Sequence, residues 1–148
     1  MRKYEIVLMR EDVALMYRGM EKKIFQLFKE NSLATGPLKT ITRSQINYIT
    51  RTIPEKQINQ VIYHTLFHNK DYSNLENSHR INFKRKHSNA TLTVTRSNIS
   101  LEADGNLDAE TCFFEILRHY QHYFLALNYA NNEYGWLRPL RAMDIVQK

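Results

Sequence analysis

The sequence is poor in the residues that build small closed sites. It has one cysteine, Cys112, so neither an intramolecular disulfide nor a thiolate-rich metal centre can form, and a reducing compartment is expected. Its four glycines stand singly at positions 19, 36, 105 and 135. A glycine-rich phosphate loop is therefore absent, and nucleotide chemistry gains no support. There is no linker rich in Gly or Ser, no internal repeat and no low-complexity run, so residues 1–148 read as one domain. Long apolar runs are missing too. The longest stretch without Lys, Arg, Asp or Glu, between Arg118 and Glu133, is broken by His119, Gln121, His122 and Asn128, which hydrocarbon would not tolerate. Near the start, Ile6 to Met9 follows Glu5 and is too short for the apolar core of a signal peptide, so the expected location is cytoplasmic, without a membrane anchor.

What is present is an ordinary globular composition. Of 148 residues 43% are apolar and 24% charged, and 21 Lys and Arg against 15 Asp and Glu give a net charge of +6. That balance favours an acidic partner without specifying nucleic acid.

Hydrophobic periodicity changes along the chain. Tyr4 to Met9 reads as a strand whose nearly continuous apolar content suits a central position. Helical spacing follows: Val13 to Arg18 behind a possible Asp12 cap and before Gly19, then Met20, Ile24, Leu27 and Phe28 on a helix ending before Gly36-Pro37. A third short helix, capped by Thr42 or Ser44, runs through Tyr48 and Ile49, and past Pro54 a fourth carries the stripe Ile58, Val61, Ile62 and Leu66. The second half has period two at His79–Lys84, Thr91–Thr95 and Ile99–Ala103, with a turn at Ser97-Asn98, which predicts antiparallel strands with one wet face. Asp108 can cap a helix with Phe113, Ile116, Leu117 and Tyr120 on one face. Strand character returns at Tyr123–Tyr129 and turns at Asn131-Asn132 into Tyr134-Gly135-Trp136-Leu137, where Trp136 reads as a packing anchor. The expected class is α+β, with a mixed or antiparallel sheet packed with helices.

No constellation offers a catalytic set, so the expectation is no enzyme, no cofactor and no metal. His64 and His68 share a helix face at zinc-helix spacing but lack a third ligand and the Glu of metalloprotease helices. Cys112, flanked by Phe113 and Phe114 with no cation beside it, reads as a small buried hydrophobe. Arg80, Lys84, Arg85 and Lys86 with the interleaved Phe83 could form a single-stranded nucleic-acid face, but the neighbouring hairpin shows Thr91, Thr93, Thr95 and Ser100 in place of stacking aromatics. The helix Val13-Ala14-Leu15-Met16-Tyr17 is apolar nearly all round and needs cover on more than one side, from its own domain or from a partner. Val13 and Tyr17 share a face, with Leu15 and Met16 turned elsewhere. In the next-but-one helix Ile46, Ile49 and Ile53 suit the core, while Gln45 and Tyr48 lie on the adjoining flank, where a Tyr with a polar tip suits a protein contact.

Several separate blocks resemble one family. Ile41-Thr42 with Gln45-Ile46, then Tyr48-Ile49-Thr50 and Ile53-Pro54, then Ala109-Glu110-Thr111 and Phe113-Phe114-Glu115, and the ending Tyr134-Gly135-Trp136-Leu137-Arg138-Pro139 are similar to the sporulation inhibitor of replication (SirA) family, in the same order from about Tyr4 to Val146. The resemblance implies a small cytoplasmic, non-enzymatic negative regulator of replication initiation in spore-forming bacteria. It also implies binding to the N-terminal domain I of the initiator DnaA, with no direct contact to nucleic acid, through the first short helix and the helix carrying Gln-x-x-Tyr-Ile. Carried over, the implied contact residues are Val13, Tyr17, Gln45, Tyr48 and Ile49, with Val13 a departure from an aromatic in the family. The competing reading from the residues alone is a basic single-stranded nucleic-acid-binding module built on Arg80, Lys84, Arg85 and Lys86. Steep salt dependence would mark that module, whereas docking of Tyr and aliphatic side chains should weaken little with salt.

Overall fold

Four successive apolar side chains, Ile6-Val7-Leu8-Met9, can be buried by a strand only if both faces of its sheet are covered. In the computed structural model, which describes residues 1–140, this strand is β1 (Arg2–Leu8), and it lies inside a seven-stranded sheet. Ile6 and Leu8 enter one apolar cluster, and Val7 and Met9 enter another on the opposite face. The other strands are β2 (Tyr72–Leu75), β3 (Ser78–Phe83), β4 (Ser88–Val94), β5 (Ile99–Gly105), β6 (Phe124–Asn128) and β7 (Glu133–Trp136). Their order is β2-β3-β4-β5-β1-β6-β7, and every neighbouring pair is antiparallel. The α+β class stands, and of the two sheet types left open the antiparallel one is found.

Helices cover the two faces unequally. On one face α4 (Glu55–Leu66) and α5 (Asp108–Tyr120) set Ile58, Ile62, Phe113 and Leu117 against Ile81, Leu92 and Leu101. On the other, α1 (Glu11–Met16), α2 (Glu21–Leu33) and α3 (Gly36–Ile49) pack Val13, Ile24, Phe28 and Ile46 on Val7, Leu125 and Leu127 of β1 and β6. On β5, Ile99, Leu101 and Ala103 are buried while Ser100 and Glu102 are exposed, so the expected wet face is present. One carboxylate crosses between layers. Buried Glu110 on α5 accepts from Arg2 Nε at 2.8 Å and from the Tyr4 hydroxyl at 2.5 Å, both on β1, so its charge is paired.

Several expected boundaries move. Asp12 is not the cap of α1: Arg10 holds that position, and Asp12 sits in the first turn, where an acid complements the helix dipole. The helix ends at Met16, with Tyr17 beyond it and Gly19 in the left-handed region at φ 85°. Gly36-Pro37 opens α3, so neither Thr42 nor Ser44 is a cap. Proline suits the first helical turn because the N–H it lacks has no intrahelical partner there. Asp108 likewise begins α5 from inside, and the amide of Ala109 is satisfied by Ser88 Oγ of β4 at 2.9 Å. The edge strand β2 was not anticipated, because Tyr72-Ser73-Asn74-Leu75 has neither the length nor the alternation of its neighbours.

Candidate functional site

The start of α1 and the end of α3 are tied together by the backbone of β1. Met9 forms an isolated antiparallel bridge to Thr50, the amide of Arg10 donates to the carbonyl of Ile49 at 3.0 Å, and the amide of Arg51 donates to Leu8 at 2.8 Å. Side chains from helices far apart in sequence therefore converge at one point. Between α1 and α3 lies an open groove of about 770 Å³, floored in part by Leu27 of α2.

All five expected contact residues line this groove: Val13 and Tyr17 from the first helix and its end, and Gln45, Tyr48 and Ile49 from α3. Their exposures differ in a way that matters for contact. Tyr48 is 70% exposed and Gln45 is exposed, Tyr17 and Ile49 are half-buried, and Val13 keeps only 7% of its surface because it packs into the core. The groove also takes in Arg10, Asp12, Met16, Leu27 and Ser44, which the sequence reading left out. Met16 corrects the expected helical facing: it lines the same groove as Val13 and Tyr17 and is 68% exposed. The fully apolar helix was its signal. Nothing local marks Arg10, whose partner stands on a helix 38 positions away.

Arg10 and Asp12 supply the charge at the groove. The Arg10 guanidinium donates to the two Asp12 carboxylate oxygens at 3.2 and 2.7 Å and to the Tyr48 carbonyl at 2.9 Å, and its carbon lies 4.8 Å from the centre of the Tyr48 ring. Arg10's hydrogen bonds, with help from the Val13 amide, hold the Asp12 carboxyl below its ordinary value. Among the described residues, nothing hydrogen-bonds the Gln45 amide or the hydroxyls of Tyr17 and Ser44, while Arg10 attends the Tyr48 side chain. The groove thus presents an apolar wall, two aromatic rings and unpaired hydrogen-bonding groups at its rim, which is contact chemistry.

Other expected features lie elsewhere. His64 and His68 are exposed on or just past α4 among Tyr63 and Phe67. Among the described residues no group of three or more His, Cys, Asp or Glu could hold a metal ion, and no helix is long and apolar enough to cross a membrane. Cys112 is half-buried, a correction to full burial, because it packs at the rim of the α5 core face; burial and Asp108 push its thiol up. Of the basic cluster, only Arg80 stands on β3. Lys84–Lys86 form a single 3-10 turn after it, Lys86 pairs with Asp108 at 3.7 Å and sits 5.6 Å from the Phe83 ring centre, and Phe83 packs against the core.

Fold and groove together define a class: an α+β protein with one antiparallel sheet, helices on both faces, and an open aromatic groove between its first and third helices. The chain belongs to the SirA family, since the family model described as "Sporulation inhibitor of replication protein SirA" matches residues 2–141. It is similar to the sporulation inhibitor of replication protein SirA of Bacillus subtilis (strain 168), with 34% identity over 148 residues covering 98% of this chain and 99% of that relative. The resemblance seen in the sequence blocks is thereby established as family membership; residues 141–148, which include its last part to Val146, lie outside the described residues.

Proposed function

We propose that this protein is an inhibitor of replication initiation in sporulation that acts by docking domain I of the initiator DnaA in the groove between α1 and α3. Family membership supports the inhibitor role. The observation that carries the docking site is convergence: Val13 and Tyr17, and Gln45, Tyr48 and Ile49, meet in one groove although the two sets are separated by α2. That groove has rings and an exposed amide at its rim and an ion pair already closed on itself, so a partner meets apolar surface without having to neutralise a charge. DnaA works in the cytoplasm, which agrees with the location expected of the chain.

Tyr48→Ala tests the reading. A central interface Tyr commonly accounts for about 2 kcal/mol on truncation, roughly thirtyfold in affinity, while an exposed side chain changes folding by about half a kcal/mol. The variant should bind isolated domain I about thirtyfold more weakly, melt near the parent, and relieve the replication block in cells. Stable Tyr48→Ala protein with full affinity overturns the reading. Binding that falls steeply with salt would instead support phosphate contact by Arg80, Lys84, Arg85 and Lys86.

A further inference from the structure

We propose that Arg10 is the positioning residue of the groove: its planar guanidinium, oriented by Asp12, fixes the Tyr48 ring in the orientation that a partner receives. The proposal rests on the docking reading above, and it assigns to Arg10 a role that contact with the partner does not require.

Tyr48 is the most exposed aromatic side chain at the groove and stands one residue from the end of α3. The contacts of its side chain are with Arg10, whose guanidinium carbon lies 4.8 Å from the ring centre. Left alone, such a ring would exchange among rotamers and would have to be ordered when a partner arrives, which weakens binding. Arg10 removes that freedom in two ways. One nitrogen donates to the Tyr48 carbonyl at 2.9 Å, anchoring the guanidinium to the backbone that carries the ring. The guanidinium carbon then lies over the ring, close enough for cation–π attraction.

The guanidinium cannot turn freely, because its other two nitrogens meet the two oxygens of Asp12 at 3.2 and 2.7 Å. A fork-to-fork pair of this kind sets the plane as well as the place of the group, and the Arg10 amide is itself held by the Ile49 carbonyl at 3.0 Å. All three guanidinium nitrogens are thus occupied within the protein. Lysine could supply the charge but neither the plane nor the fork, so it should not substitute.

The experiment measures domain I binding for Arg10→Met, Arg10→Lys, Tyr48→Ala and the double variants, together with the proton spectrum of the free proteins. Arg10→Met and Arg10→Lys should each weaken binding about fivefold at an unchanged melting temperature, and by less than about twofold when Tyr48 is already alanine. In the free protein the Arg10 δ-methylene protons should show an upfield ring-current shift that Tyr48→Leu abolishes. Full affinity in Arg10→Lys, with Tyr48→Ala weakened, overturns the positioning role while leaving the docking site intact. Equal losses in both backgrounds would make Arg10 a direct contact and overturn it as well. Absence of the ring-current shift removes its geometric basis, and full affinity in Tyr48→Ala overturns the docking reading together with this proposal.

Discussion

The Thr42 hydroxyl lies 2.8 Å from Asn31 Oδ1, and both side chains are buried between α3 and α2. This is a polar bond within an otherwise apolar layer, and its energetic weight comes from what would be left behind if it were broken. It fixes the middle of α3 against α2, while the Met9–Thr50 bridge fixes its end against β1. Between these two points stand Gln45, Ile46 and Tyr48, so this side-chain bond, together with the backbone contacts at the end of α3, helps hold the inclination of the groove wall.

Thr42→Val should therefore destabilise the fold by about 1–3 kcal/mol, since it keeps the shape but leaves the Asn31 carbonyl oxygen buried without that partner. Thr42→Ser, which restores the hydroxyl, should recover most of the loss. Urea midpoints of the two variants decide it, and equal midpoints for Val and Thr would show that the bond contributes nothing.

The sheet was legible where burial dictates pattern. The continuous run Ile6 to Met9 signalled a strand covered on both sides, and the alternation in Ile99–Ala103 signalled one covered on a single side; both follow directly from side-chain direction in strands. The helix starts were less legible because caps here come from tertiary structure. Ser88 of β4 serves the first turn of α5, and no spacing rule links residues 88 and 109. Gly36-Pro37 carries both a stop and a start signal, and only the short connection after Leu33 shows that the start prevails. At the groove, Gln45 and Tyr48 were marked by being polar-tipped on the flank of an apolar face. Arg10 was invisible because its partner Tyr48 lies across the fold. Trp136, read as a packing anchor, is half-buried against the α2 face and donates its indole N–H to Glu21 at 3.2 Å, an arrangement with one foot at the surface.

Gly105 is the glycine the fold most needs. It has φ +79°, and a Cβ placed there would lie 1.8 Å from the backbone carbonyl oxygen of His87, which cannot swing away. Gly105→Ala should cost about 3 kcal/mol or more, through both the left-handed backbone and the collision at the β4–β5 end that supports α5. Gly135→Ala, where a Cβ meets nothing within 4 Å, should leave stability within about half a kcal/mol. Thermal melts of the two variants give the comparison, and a Gly105→Ala protein as stable as Gly135→Ala would contradict the close approach.

The last prediction concerns acid. His79 is 1% exposed, with Nδ1 2.7 Å from the Tyr72 hydroxyl and Nε2 2.8 Å from Asn59 Oδ1. The Asn59 oxygen can only accept, so Nε2 carries the proton and Nδ1 accepts from Tyr72, whose own hydroxyl burial pushes up to about 12. The ring is neutral, and burial lowers its pKa from 6.5 to about 4. In the unfolded chain the same ring takes its proton near the ordinary value, so between pH 6.5 and 4 the unfolded state binds more protons and acidification favours unfolding. The contribution of neutral His79 is complete above pH 6.5 and falls by about 1.4 kcal/mol per pH unit towards pH 4, to a total on the order of 3 kcal/mol. Urea midpoints at pH 7 and pH 5 should drop steeply for the parent and much less for His79→Gln, which cannot titrate. Parallel pH slopes in the two proteins would place the acid sensitivity on other groups and remove His79 from the account.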